Sequence, residues 1–317
     1  MEKIKIHKLN SSLEEEYDVL ICSASFESRT TSIPEKLKRK KIGKVIIVEN
    51  CIGSDLIKEN SQKISEMFGK KAVQLKVDYS DSLSIADEIT KAVNSASNKK
   101  LNVLVDITTF THEILLICLK VLLLNNRVQT ITCVYINASE YCPGVELKNK
   151  WLSQGCENIH SVLGYPGMLL PSQKDHLVVI VGYEYNRAFE MISALEPNSI
   201  TLVYGEVNEA ITEKDREANS VFKQLIEQMA FEFANIKSVN LPCNDPEKIS
   251  EGLQELYNQH ENDNIIVVPM NNKMSTVGVA LSVKNNERVQ ICYAPAVVYN
   301  ELNYSSPGKD CYIFKIK

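Results

Sequence analysis

Short apolar runs alternate with helical segments along the whole chain, and this alternation restricts the possible folds more than any other feature. Residues 18–22, 44–48, 72–77, 101–106 and 130–136 are runs rich in Val, Ile and Leu and predict five strands. Between them, residues 30–40 and 55–68 read as helices, and Ile85, Ile89, Ala92, Val93 and Ala96 share one helical face. Residues 111–124 form a further, almost wholly apolar helix. Strands that are apolar throughout and separated by helices require a mainly parallel sheet covered on both faces.

The same order then repeats. Residues 177–181, 199–204, 236–241, 264–268 and 288–293 are the matching strands. Val221, Phe222, Leu225, Ile226, Met229 and Phe233 make one helical stripe; Ile249, Leu253, Leu256 and Tyr257 make another, opened by an Asp245 cap and Pro246. Residues 274–283 correspond to the apolar helix 111–124. Pro143, Gly144, Gly164, Pro166, Gly167 and Pro171 mark residues 143–176 as a linker between domains 1–142 and 177–317. A turn at 305–308 and a strand at 311–316 are expected to complete the second sheet. The fold class is therefore α/β: two tandem Rossmann-like, doubly wound sheets related by internal duplication. The length of 317 residues suits two domains of roughly 150 residues each.

A net charge of −5 lacks the broad basic face that a genomic duplex requires, but a local pocket for a small anion stays open. No stretch reaches the length of a membrane span, and residues 1–8 lack the apolar core of a secretory signal. The nine cysteines form no CxxC pair, and Cys22, Cys118, Cys133 and Cys292 sit in apolar runs as small hydrophobes, so a reducing cytoplasm is expected. His7, His160, His176 and His260 show no ligand spacing, so neither a metal nor a cofactor is expected.

Chemistry in such a fold belongs at the carboxyl ends of the first and fourth strands, where the strand order reverses. The first-strand turns correspond: Ser23, Ser25, Glu27 and Arg29 in one half lie against Glu184 and Arg187 in the other. The fourth-strand turns agree in position and polarity: Asp106, Thr108 and Thr109 against Asn271, Asn272 and Lys273. These twelve residues are the expected ligand-binding set, with hydroxyls, amides and two arginines suited to a phosphate or carboxylate. His112 and Lys273 are the catalytic candidates, as acid, base or anion clamp. His112 reads equally well as a first-turn helix residue. The Glu–Arg pairs have a second reading, as braces within each turn. Neither turn has the glycines of a dinucleotide or Walker loop. Tyr135, Tyr141, Tyr293, Tyr299, Tyr304 and Tyr312 cluster near the proposed rims, as stacking platforms or core edges.

Ser23-Ala-Ser-Phe26 after strand one and Asp106-Ile-Thr-Thr109 after strand four resemble the turns of CARF domains, the CRISPR-associated Rossmann-fold sensors. Two such units in one chain are also similar to SAVED domains. That resemblance implies a cyclic or short oligonucleotide second messenger, antiviral defence or signalling, and an effector on a separate chain. The glycine usual after strand four is replaced by Thr108, Thr109 and Phe110. An enzyme acting on a phosphate-bearing small molecule and an assembly subunit are the alternatives; a homo-oligomer is compatible with all three. If the arginines clamp a ligand, Arg29→Ala and Arg187→Ala weaken binding and leave stability nearly unchanged. If they are braces, binding stays and stability falls.

Overall fold

The structure, a computed structural model, describes residues 1–50, 54–78, 80–97, 99–206, 208–230 and 235–317. Phe233 of the predicted stripe lies outside the described residues. The chain divides into two compact units, Met1–Glu140 with Ser305–Lys317, and Tyr141–Tyr304.

The first unit opens with β1 (Glu2–Lys5) and the single turn α1 (Leu9–Ser12), followed by β2 (Glu16–Ala24), α2 (Ser32–Leu37), β3 (Lys41–Asn50), α3 (Asp55–Phe68) and β4 (Ala72–Val77). It continues through α4 (Ser82–Asn94), β5 (Leu101–Asp106), α5 (His112–Leu124) and β6 (Val128–Tyr141). The second unit contains β7 (Ser153–Gln154), β8 (His160–Pro166), β9 (Asp175–Ile180), α6 (Tyr185–Leu195), β10 (Ser199–Tyr204), α7 (Glu213–Ala230) and β11 (Asn235–Asn240). Then come α8 (Pro246–Gln259), β12 (Asn264–Pro269), α9 (Lys273–Ser282), β13 (Gln290–Tyr293) and β14 (Val298–Tyr299); the chain closes on β15 (Ser305–Lys315).

Both large sheets have the doubly wound order. In the first, β6-β5-β2-β3-β4 run parallel, and in the second β13-β12-β9-β10-β11 do the same. The first repeating strand of each unit, β2 or β9, therefore lies beside the fourth, β5 or β12, and the winding reverses there. The central strands are fully apolar because helices cover both faces: Val19–Cys22, Val45–Val48 and Val103–Val105 are inaccessible to solvent, as are Leu177, Val178 and Ile180. Ile85, Ile89, Ala92 and Val93 turn inward from α4, as their spacing requires.

Two expectations on domain boundaries are corrected. The segment 143–176 is more than a linker, because β8 pairs antiparallel with β13 in the second sheet and β7 pairs with β14. The tail does not complete the second sheet: β15 inserts between β1 and β6 of the first, and residues 305–317 belong to the first unit. The Lys–Ile alternation at residues 2–5 supplies the outer partner, with Ile4 opposite Cys311. A period-2 pattern identifies a strand, but nothing local specifies which sheet it joins.

Asp245 caps α8, accepting from the N–H groups of Glu247 (3.1 Å) and Lys248 (3.3 Å), with Pro246 in the first turn. Asp245→Ala should cost about 1 kcal/mol in urea unfolding, with an unchanged denaturant slope.

Candidate functional site

In the first unit, the carboxyl ends of β2 and β5 meet with Cys22 opposite Asp106. The two turns are sewn together by hydroxyls. Thr109 Oγ1 donates to the Ser23 carbonyl (3.1 Å), which leaves Thr30 as donor in its 2.9 Å contact with Thr109. Thr30 in turn accepts from the Ser25 N–H at 3.1 Å. Thr108 donates both its N–H (3.1 Å) and its hydroxyl (2.5 Å) to Asp106, and accepts from the Ile136 N–H (3.2 Å). Sequence reasoning thus placed Ser23, Ser25, Asp106, Thr108 and Thr109 together, and the structure does so.

Asp106 is buried, and burial pushes its carboxyl up to about 7 despite the Thr108 hydrogen bonds and the charge of Arg29. Two residues missed at first join this region. Asn60 Nδ2 donates to the Ser25 carbonyl (2.8 Å), and Asn50 Nδ2 to the Thr109 carbonyl (3.3 Å). Asn50 ends the second repeating strand, and that position was the available signal. Ser23 Oγ and Asn50 Oδ1 are buried and have no hydrogen-bond partner among the described residues.

The arginines sit deeper than a ligand clamp requires. Arg29, 2% exposed, gives Nε (2.9 Å) and Nη2 (2.6 Å) to Glu27, and Nη1 (3.0 Å) to the Ile136 carbonyl of β6. Ser305 Oγ completes Glu27 at 2.8 Å. In the second unit Arg187, 1% exposed, gives Nη1 to Glu184 (2.6 Å) and Ser153 (2.9 Å), and Nη2 to the Ala294 carbonyl just beyond β13. Ser153 also donates to Glu184. In both units the arginine reaches a carbonyl 107 residues further along the chain. Each pair therefore ties the first-strand turn to the fifth strand, so the recurrence that pointed to a ligand has an explanation within the fold itself.

In the second unit, Asn271 Nδ2 donates to the Val181 carbonyl, as Thr109 does to Ser23 in the first. Asn272 caps α9 through the Ser275 N–H (2.9 Å) and reaches the Cys243 carbonyl (3.0 Å). The turns close tightly here: a Cβ on Gly182, the residue after Val181, would lie 2.2 Å from the Met270 carbonyl oxygen. His112 and Lys273 are the first residues of α5 and α9 and belong to different units. Tyr299 is half-buried near Arg187, and its phenol is pushed up to about 12, chiefly by desolvation. Among the described residues, no group of three or more His, Cys, Asp or Glu side chains could hold a metal ion, and no helix is long and apolar enough to cross a membrane.

No family model and no curated protein matches the chain. Among solved structures, a short-chain dehydrogenase/reductase variant of Serratia marcescens is similar at 11% identity, covering 85% of this chain and 91% of that one, with a TM-score of 0.24. A ketoreductase from the macrolactin assembly line (10% identity, 87% and 69% covered, TM-score 0.23) and one from the bacillaene assembly line (13%, 89% and 69%, 0.21) are similar at the same level. Scores this low carry no argument about function; the α/β class and doubly wound order rest on the sheets described above.

Proposed function

We propose that this protein senses a nucleotide-type ligand, a cyclic or short oligonucleotide of the kind used as a second messenger, at the carboxyl ends of β2, β3 and β5 in the first unit. The observation that carries this reading is the pair of buried, unpartnered oxygens, Ser23 Oγ and Asn50 Oδ1, on adjacent strands beside the point where the winding reverses. Buried polar atoms without partners cost about 1–3 kcal/mol each; others occur elsewhere among the described residues, and what marks this pair is its place at the ends of adjacent strands where the fold takes a ligand. Doubly wound folds take the ribose at the end of the second strand, where Asn50 lies. The chemistry on offer is neutral hydroxyl and amide, because Arg29 is already neutralised by Glu27. It suits the ribose and base of a nucleotide better than its phosphate. The second unit, shut by Gly182 against Met270, is in this reading a structural copy.

Calorimetric titration with adenosine mononucleotides and with linear and cyclic oligoadenylates tests this. Ser23→Ala should weaken binding by about 1 kcal/mol, roughly fivefold, while the melting temperature holds or rises because an unpaired hydroxyl is removed. Wild-type protein that binds none of the panel leaves the assembly-subunit reading in place; turnover of a panel member selects the enzyme instead.

A further inference from the structure

β4 is the last strand of the seven-stranded sheet, and its outer edge carries no partner strand among the described residues. Beside it lies a groove of about 530 Å³, lined by Lys44 from β3, Val73, Gln74, Leu75 and Lys76 of β4, and Glu88, Lys91, Ala92 and Ser95 of α4 and its cap. Val73 and Leu75 are only half covered by α4, so the floor keeps accessible apolar surface. Lys44 and Lys91 lie with Glu88 on the α4 face, and Lys76, alternating with Leu75 along β4, projects to the opposite face, in a chain whose net charge is −5.

We propose that this edge and groove form a docking site for an acidic, extended polypeptide segment, which adds to the sheet as a strand beside β4. Three features support it. A free strand edge offers backbone N–H and C=O groups spaced for another strand. Alternate side chains of such a strand would stand beside Val73 and Leu75 on the α4 face and the intervening ones beside Lys76 on the other, in keeping with the two-residue period. The lysines supply charge complementarity that an acidic segment satisfies and a basic one does not. Lysines on an edge strand can also act as guards against pairing. Only Lys76 lies on the edge itself, however; Lys44 and Lys91 come from the neighbouring strand and helix and frame the groove. Lys44 is held in place by donating to Ser95 Oγ at 2.6 Å. A single-stranded nucleic acid would need ring platforms to stack on, and the lining residues include no aromatic side chain.

The test uses the full chain and a fluorescein-labelled peptide of alternating glutamate and valine. Saturable anisotropy is expected, with slowed amide exchange over residues 72–77. Lys76→Glu combined with Lys91→Glu, both on exposed side chains, should weaken binding by about tenfold or more. N-methylation of alternate peptide amides should abolish binding, because it removes the strand hydrogen bonds and needs no change to the protein. The proposal is overturned if the unmodified peptide shows no saturable binding, if the methylated peptide binds equally well, or if oligouridylate displaces the peptide and binds the groove with the same affinity.

Discussion

Arg187→Ala should destabilise the second unit by about 3–5 kcal/mol, because it strands the buried Glu184 carboxylate. It also removes the donors to Ser153 and to the Ala294 carbonyl, which otherwise hold β7 and the end of β13 against the α6 turn. Burial works against the Arg187 charge, but Glu184, with Tyr293 and Tyr299 beside it, holds the guanidinium above its ordinary range, so the arginine keeps its charge. Urea unfolding followed by circular dichroism measures the loss. Arg187→Lys should recover part of it, since one ammonium cannot serve Glu184, Ser153 and Ala294 with the geometry of the fork. Glu184→Gln with Arg187→Met should cost less than Arg187→Ala alone, since no charge is left buried. A loss below about 1 kcal/mol for Arg187→Ala would show that the pair is a surface-like ion pair of little consequence. The same argument applies to Arg29 and Glu27, with Ser305 Oγ as the further partner.

These arginines also show where sequence reasoning stops. The pattern Glu, then Arg, after the first strand of each half was legible, and so was its place at the reversal of winding. Its role was not, because the deciding partners, Ile136 and Ala294, lie 107 residues away and contribute backbone oxygens that carry no side-chain signature. The ladder β2-β3-β4-β5-β6 and its copy were readable because fully apolar strands have few alternatives once both faces are covered. The strand β1 was not recognised and β15 was assigned to the other sheet, since a period-2 pattern fixes a strand's apolar face and not the sheet it joins. At the candidate site, Ser23, Asp106 and Thr109 were found from topology alone. Asn50 was missed because an amide at a strand end matches a turn signal as well as a ligand contact.

The two units should respond to acid in opposite directions. Asp106 has a folded-state carboxyl raised from an ordinary 3.8 to about 7 by burial, so the folded form prefers the proton. Its contribution is fully present below pH 4 and is lost as pH rises through 7. His176 in the second unit is lowered from 6.5 to about 4, first by burial and then by the His260 ring stacked on it at 3.6 Å; Asp263 opposes the shift and Lys237 reinforces it. The folded form prefers neutral imidazole, its nitrogens engaged by Ser199 Oγ (2.7 Å) and Thr201 Oγ1 (3.0 Å). That contribution is present above pH 6.5 and is lost as pH falls towards 4. Between pH 7.5 and 5.5, Asp106 should therefore add about 2 kcal/mol to the first unit while His176 removes about 1 kcal/mol from the second. Carboxylates held low by surface lysines, such as Asp310 beside Lys5 and Lys3, act only below pH 4 and leave this window clear. Amide exchange of the β5 and β9 cores at both pH values, corrected for intrinsic rates, separates the two terms. Asp106→Asn should flatten the response of β5 alone, and His176→Gln that of β9 alone. If both cores shift in the same direction on acidification, the buried state of one of the two groups has been misassigned.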